Sequence, residues 1–94
     1  MQSFVKTFAS ELASKKIRIN AVSPGPIATN YFERSNLSSA QVQGMADWVL
    51  PQVPLARFGQ PKEVAKVVTF LASDEASYLH GTEIFVDGGF PKIK

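Results

Sequence analysis

The chain has 94 residues, of which 45% are hydrophobic and 19% are charged, with a formal net charge of +2, one histidine and no cysteine. This composition is typical of one globular domain, and so weak and scattered a charge does not indicate a nucleic-acid surface. The absence of cysteine excludes disulfides and cysteine metal sites, a single histidine predicts no metal site, and no apolar run approaches the roughly 20 residues of a membrane span. We expect a soluble, cytoplasmic protein that binds neither nucleic acid nor membrane.

The first predicted element is an amphipathic helix over residues 1–14. Its apolar positions share one face at helical spacing: Met1, Phe4, Val5, Phe8 and Leu12. No capping residue precedes this stripe, so the helix is predicted to be entered partway along. The β-branched run over residues 17–22 then predicts a buried strand that delivers a Pro-Gly turn to the edge of a sheet.

Residues 30–54 are more polar and aromatic and contain a second predicted helix. Ser38 and Gln41 form a capping box, and an apolar stripe follows at helical spacing: Val42, Met45, Ala46 and Val49. Gly44 weakens this helix and Pro51 ends it. A weak helix in a long excursion predicts a lid or a binding loop, and a decorative insertion is the alternative.

A third helix is predicted from Pro61, with Glu63 in its first turn and four apolar residues on one face: Val64, Val67, Val68 and Leu71. Residues 83–86 predict a second short strand, which the following Asp-Gly-Gly ends. This alternation of helices and strands is that of βαβ units in a parallel sheet. Because parallel sheets are covered on both faces, two strands need neighbours, and residues 1–94 are expected to form a single incomplete segment.

Four blocks of sequence carry a family resemblance: Arg18-Ile19-Asn20 with Pro24-Gly25 and Ile27-Ala28-Thr29; Arg57-Phe58-Gly59 with Pro61, Glu63 and Val64; Phe70-Leu71-Ala72-Ser73-Asp74 leading to Gly81; and Val86-Asp87-Gly88-Gly89. Their order and spacing span nearly the whole chain and closely resemble the C-terminal part of the short-chain dehydrogenase/reductase family. The resemblance implies an α/β fold, namely the C-terminal portion of a Rossmann-type doubly wound parallel sheet, with two strands and about three helices. It also implies NAD or NADP as cofactor and a carbonyl or alcohol as substrate.

The resemblance assigns the cofactor contacts to one turn. Pro24 and Gly25 are expected to let the backbone pass close to the nicotinamide and to free N–H groups. Ile27 is expected to hold the carboxamide through its main chain, and Thr29 to hydrogen-bond the carboxamide or the pyrophosphate. Local sequence alone favours a different interpretation, in which the turn is a connector and Thr29 is a helix cap.

In the family, the segment that matches residues 30–54 closes over the substrate. Tyr31, Phe32 and Trp48 are therefore candidates to line an apolar pocket. Met45 and Val49 are also candidates, but we favour packing of both against the core. Outside this segment, Arg57 is expected to form a structural ion pair and His80 to be a solvated surface group.

The family's catalytic tyrosine, with a lysine four residues later, is not in this chain. Tyr31 and Tyr78 are followed at that spacing by Ser35 and Thr82, and no phosphate-binding glycine-rich loop is present. No catalytic residue is assigned, and the chain alone is expected to be inactive. The resemblance implies the C-terminal segment of an NAD(P)-dependent oxidoreductase, assembled as a homo-oligomer or with a missing N-terminal half. The alternative is a non-catalytic truncated module that associates with itself or with an intact relative.

Overall fold

The computed structural model describes residues 2–28 and 36–91. Its helices and strands, in chain order, are α1 (Gln2–Leu12), β1 (Ala21–Pro24), α2 (Ser39–Val49), α3 (Pro61–Ala72) and β2 (Glu83–Val86). Three short 3₁₀ turns follow the helices, at Ala13–Lys15, Leu50–Gln52 and Asp74–Ala76. The α/β class with two strands and three helices is confirmed. Within the described ranges, no helix is long and apolar enough to cross a membrane.

The two strands are parallel neighbours, as predicted, with a register that runs from Ala21 opposite Glu83 to Pro24 opposite Val86. The first strand begins at Ala21, so the prediction that it begins at residue 17 is wrong. Ile19 and Asn20 lie beside the segment that precedes β2, where the chain turns at Gly81, whose φ is +73°. Gly81 donates its N–H to the carbonyl of Ile19 (2.8 Å), and ladder pairing starts only after this turn.

The helix ends follow from local hydrogen bonding. The predicted capping box before α2 is confirmed, because the Ser38 hydroxyl accepts from the Gln41 N–H (3.1 Å) and the Gln41 side chain accepts from the Ser38 N–H (2.7 Å). Helix α1 ends at Leu12, two residues before the predicted end, because the chain tightens into a 3₁₀ turn. Lys16 then takes a left-handed conformation (φ 58°), which cannot continue a helix.

The core is small. Within residues 2–28 and 36–91, the buried hydrophobic side chains are Val5, Ala9, Val53, Leu71 and Ala76, and no large side chain among them is fully buried. Large apolar side chains next to this core remain accessible: Ile17 and Phe85 are each 49% exposed. Helix α3 packs on one face of the sheet through Leu71, and much of the sheet's remaining apolar surface is half-buried or open.

Candidate functional site

The candidate site lies at the carboxyl ends of β1 and β2. Because the strands are parallel, the loops that follow Pro24 and Val86 emerge at the same edge of the sheet. The segment over residues 53–59 joins them there, since Leu55 donates its N–H to the carbonyl of Gly88 (3.1 Å). Open α/β sheets bind their ligands beyond the carboxyl ends of their strands. This edge is therefore where a ligand site is expected.

Gly25 is the first residue after β1, and the sheet itself uses its backbone. Its N–H donates to the carbonyl of Val86 (3.0 Å), so the expectation that this N–H is free is wrong. A Cβ atom at Gly25 would lie 2.5 Å from the Cβ of Asp87 and 2.8 Å from the Cα of Asp87. The glycine is therefore required by the close approach of the two loops, whatever binds beside them.

The loop after β1 is held by a parallel bridge between Ile27 and Gly59. Gly59 makes both hydrogen bonds of this bridge with the residues on either side of Ile27. Its N–H donates to the carbonyl of Pro26 (3.0 Å), and its carbonyl accepts from the N–H of Ala28 (2.8 Å). In a parallel bridge of this kind, the central residue turns its own N–H and C=O to the opposite side. Neither group of Ile27 bonds to any residue in the described part of the chain. One donor and one acceptor are thus left side by side.

A cleft of ≈ 200 Å³ lies beside this bridge. Its lining comes from all three loops and the start of α3: Pro26, Ile27, Leu55, Arg57, Gly59, Glu63, Phe85, Val86, Asp87 and Gly88. Asp87 shapes one wall, since its Oδ1 accepts from the N–H of Gly89 (2.8 Å) and holds a tight turn. Gly88 in this turn has a φ of +60° and packs on Val53.

An ion pair forms part of the lining of the cleft. Arg57 donates to both carboxylate oxygens of Glu63 (2.9 and 3.0 Å), which confirms the structural ion pair predicted for Arg57. The hydrogen bond from Arg57, and then the bond from the Gln60 N–H, lower the pKa of Glu63 to about 2. Glu63 therefore carries its charge at neutral pH and is fully engaged in fixing the start of α3.

The residues predicted to line the substrate lid are only partly placed. Tyr31 and Phe32 lie outside the described residues, as does Thr29, which was predicted to contact the cofactor. Trp48 lies on α2 and is 69% exposed. Met45 on the same helix is 44% exposed, so the core packing favoured for it is not found, whereas Val49 is half-buried.

Sequence reasoning missed two polar residues that hold the elements together. The Arg18 guanidinium donates to three main-chain carbonyls, those of Leu71 (2.9 Å), Ser73 (3.2 Å) and Leu79 (3.4 Å). His80 is exposed, as expected, but it is not merely solvated, because both ring nitrogens are hydrogen-bonded. Neither role has a local sequence signal, since the partners lie 53 or more residues away. The described residues contain no group of three acidic, His or Cys side chains placed to hold a metal ion.

Comparison with known proteins adds a family and a set of relatives. A family model described as enoyl-(acyl carrier protein) reductase matches residues 1–91. The 3-oxoacyl-[acyl-carrier-protein] reductase of Thermotoga maritima is 48% identical over 84 residues, which are 89% of this chain and 32% of the relative. The corresponding reductase of Buchnera aphidicola is 49% identical over 90 residues, 96% of this chain and 34% of the relative. The chain thus spans about a third of the length of these relatives.

Solved structures resemble the fold over nearly the whole chain. A short chain dehydrogenase from Bacillus anthracis has a TM-score of 0.72 and 40% identity, and covers 94% of this chain and 32% of its own. A protein described as a putative 2-deoxy-D-gluconate 3-dehydrogenase from Agrobacterium tumefaciens, with bound NADP, has a TM-score of 0.74 and 34% identity. It covers 95% of this chain and 35% of its own.

Proposed function

This chain belongs to the short-chain dehydrogenase/reductase family, and on that premise we propose that it is the C-terminal segment of an NAD(P)-dependent oxidoreductase. The substrate class is a carbonyl compound or the corresponding alcohol. In this proposal, residues 1–94 supply one wall of the nicotinamide site, part of a substrate lid and surfaces for assembly. The remaining parts of the site come from polypeptide that this sequence does not include.

The observation that carries the proposal is that the N–H and C=O of Ile27 bond to no residue among those that the structure describes. A nicotinamide carboxamide has an N–H₂ donor and a C=O acceptor on one small planar group. Ile27 offers the complementary acceptor and donor from one residue, and the bridge to Gly59 fixes their direction. Two hydrogen bonds of this kind would set the rotation of the ring and thus the face that it presents to a substrate. Both NAD and NADP carry this carboxamide.

The nicotinamide, when bound, supplies the hydride chemistry. The residues of this chain bind and orient it. Pro24 and Gly25 keep the turn close to the ring, and Ile27 holds the carboxamide. Thr29, which follows directly in sequence, is proposed to add a hydroxyl contact to the carboxamide or the pyrophosphate. The packing of Gly25 against Asp87 fixes the position of this turn relative to β2.

We propose that Tyr31, Phe32 and Trp48 cover the substrate from residues 30–54. The large exposed surface of Trp48 supports this role, since an indole that is 69% exposed on a weak helix is available to a ligand. Closure of an apolar cover excludes water from the reacting carbon.

The proton that accompanies hydride transfer needs an acid or base that these residues do not supply. Tyr31 and Tyr78 have no lysine four positions later. We therefore expect the 94-residue chain alone to show no dehydrogenase or reductase activity. For assembly, we propose that α1, α3 and β2 pair subunits, because each presents an accessible apolar side chain: Phe4 (61%), Val68 (49%) and Phe85 (49%).

A chimera tests the proposal directly. Residues 1–94 replace the matching third of the Thermotoga maritima reductase, which supplies the rest of the enzyme. We expect this chimera to oxidise a reduced nicotinamide cofactor in the presence of a 3-oxoacyl substrate. Within it, Ile27→Pro deletes the free N–H without breaking any described hydrogen bond, and should weaken cofactor binding about tenfold or more.

The matched control is Ile27→Val, which keeps the backbone and should bind the cofactor normally. Equal cofactor affinity in the proline and valine variants would refute the proposed role of Ile27. A chimera that folds and assembles but never oxidises the cofactor would instead favour the non-catalytic interaction module.

A further inference from the structure

Gly59 holds the loop of Ile27 through two consecutive peptide units. In the unit that joins Phe58 to Gly59, the N–H donates to the carbonyl of Pro26 (3.0 Å). In the unit that follows Gly59, the carbonyl accepts from the N–H of Ala28 (2.8 Å). Since these bonds lie on either side of Ile27, the direction of its own N–H and C=O depends on how both peptide units are oriented.

The opposite end of each peptide unit is held by one member of the ion pair between Arg57 and Glu63. The carbonyl of Phe58, at the far end of the first unit, accepts from Nη1 of Arg57 (3.1 Å). The N–H of Gln60, at the far end of the second unit, donates to Oε1 of Glu63 (2.9 Å). A trans peptide unit is planar, with its N–H and C=O on opposite sides, so a bond at one end restricts the direction of the other end.

Two parallel hydrogen bonds join Arg57 to Glu63. Nη1 of Arg57 donates to Oε1 of Glu63 (2.9 Å), and Nη2 donates to Oε2 (3.0 Å). The atoms that hold the two peptide units, Nη1 and Oε1, are therefore bonded to each other. Because a bidentate pair of planar groups has a defined geometry, a rotation of either peptide unit strains the bonds of the pair. The pair and the bridge line the same cleft, and a Cβ atom at Gly59 would lie 3.9 Å from Oε1 of Glu63.

We propose that Arg57 and Glu63 are positioning residues for the nicotinamide carboxamide, and that they act through Gly59 on the N–H and C=O of Ile27. The inference rests on the proposed function, because it concerns the same site. It goes further in naming the side chains that aim the main-chain groups of Ile27. Hydrogen bonds weaken steeply as their angle departs from linear, so a misaimed Ile27 would bind the carboxamide less well although it had lost no donor or acceptor.

The exposure of the ion pair argues against a role in folding alone. The side chains of Arg57 and Glu63 are 54% and 38% exposed. Exposed ion pairs contribute little to the free energy of folding, because water screens their charges. The charged form nevertheless persists at neutral pH, since the hydrogen bond from Arg57 is the largest of the causes that lower the pKa of Glu63 to about 2. A pair that adds little stability but fixes two peptide units is suited to orienting a neighbouring group.

The first measurement uses the full 94-residue chain without cofactor. Amide hydrogen exchange, followed by NMR, reports the bonds that the N–H groups of Gly59 and Ala28 make across the bridge. Arg57→Gln should raise both exchange rates about threefold or more. The N–H of Gly25, which bonds within the sheet, should keep its rate. Lys62→Gln is the matched control, because it removes a neighbouring positive charge that makes none of these bonds, and it should leave all three rates unchanged.

The second measurement uses the chimera with the Thermotoga maritima reductase. It compares the dissociation constants of its nicotinamide cofactor and of the analogue in which an acetyl group replaces the carboxamide. The analogue keeps a C=O acceptor but has no N–H₂ donor for the carbonyl of Ile27. The parent chimera should bind the nicotinamide form about threefold to tenfold more tightly than the analogue. Arg57→Gln should bring this ratio towards one and Lys62→Gln should preserve it, whereas a general loss of stability would weaken both cofactors equally.

Three results would overturn the positioning role. The first is an Arg57→Gln chain in which Gly59 and Ala28 exchange as in the parent chain, including no protection in either. The second is an equal rise in exchange at Gly25, which would show that the ion pair acts on global stability. The third is an Arg57→Gln chimera that keeps the parent ratio of the two dissociation constants. A parent chimera that binds both cofactors equally would refute the proposed role of Ile27, and this inference with it, even if the exchange rates change as expected.

Discussion

Gly25 is held at the point where the loops after the two strands come closest. The atoms that a larger residue would meet belong to the Cβ and the backbone of Asp87, and neither can move away by a change of rotamer. Gly59 is different, since a Cβ there would meet the terminal Cδ1 of Ile27, which is the flexible end of a side chain. The rigid contact makes Gly25 the more sensitive of these two positions.

Gly25→Ala should destabilise the fold by about 1–3 kcal/mol, because the added methyl forces the ends of β1 and β2 apart. Urea denaturation of the two proteins measures the effect. Gly44→Ala is the matched control, since its Cβ would meet nothing within 4 Å and it lies inside α2. The control should stabilise the chain by about 0.5–1 kcal/mol through helix propensity. Equal effects of the two changes would contradict the close approach at Gly25.

The carboxylate of Glu63 should titrate far below an ordinary glutamate. Its pKa is about 2, with the hydrogen bond from Arg57 as the largest cause and the charge of Lys62 as the smallest. Because this pKa is depressed, the stabilisation from the charged form is present above about pH 4.5 and is lost as the pH falls towards 2. Carboxyl-detected NMR titration gives the value directly.

Two variants separate the causes of this shift. Arg57→Gln should return the pKa of Glu63 most of the way towards its usual value, because it removes the first cause. Lys62→Gln removes a positive charge from a neighbouring position and should change the pKa little. A larger effect from Lys62→Gln than from Arg57→Gln would show that general charge, and not the paired hydrogen bonds, lowers the pKa.

At the scale of elements, Arg18 joins the lead-in of β1 to the end of α3. The last carbonyls of a helix have no partner within the helix, and the guanidinium fork supplies donors to those of Leu71 and Ser73. It also reaches Leu79 in the connection to β2 (3.4 Å). Asn20 adds a second link to this connection, because it donates to the carbonyl of Leu79 (3.0 Å) and accepts from the N–H of Thr82 (3.1 Å).

Arg18→Met should destabilise the chain by about 1.5–3 kcal/mol, since it removes charge-assisted hydrogen bonds to partly buried carbonyls. Lys66→Met, on the exposed surface of α3, removes the same charge and should change stability by less than about 0.5 kcal/mol. Thermal unfolding of both variants makes the comparison. Similar losses would mean that net charge, rather than the bonds to the end of α3, accounts for the effect.

Sequence patterns predicted the elements better than their edges. The capping residues Ser38 and Gln41, and Pro61 at the first position of α3, act through neighbours in sequence, so the starts of these helices could be predicted. The start of β1 could not, because it depends on where the partner strand begins some 60 residues later. A β-branched run indicates that a segment can form a strand, but it does not show where a partner strand pairs with it.

The position of the candidate site stays a prediction, and the structure corrects one part of its expected hydrogen bonding. The Pro-Gly turn after a strand predicts a ligand site at this edge of the sheet, and the family resemblance implies a contact from the main chain of Ile27. The sequence could not show which main-chain N–H and C=O groups are hydrogen-bonded within the protein. The N–H of Gly25 bonds within the sheet, whereas that of Ile27 bonds to no residue in the described ranges, and both outcomes depend on contacts with Val86 and Gly59.

On the scale of the whole molecule, the described residues enclose only a small core. The radius of gyration is 16.4 Å, whereas a compact domain of this length has about 12.4 Å. The sheet has two parallel strands, an arrangement that is stable in proteins when further strands and helices cover it. A cleft of ≈ 450 Å³ lies beside β1, lined by Lys16, Arg18, Asn20, Val22, Val68, Leu71 and Ala72. These features support our proposal that other polypeptide completes the sheet.

The measurement that tests this account most directly is the amide signal of Ile27 in the chimera with the Thermotoga maritima reductase, followed by NMR as nicotinamide cofactor is added. If the main-chain N–H and C=O of Ile27 hold the carboxamide, the chemical shift of the Ile27 N–H should change more than those of Ala28 and Gly59. The N–H groups of Ala28 and Gly59 are already hydrogen-bonded within the protein. A cofactor that binds while the Ile27 signal stays unchanged would contradict the account.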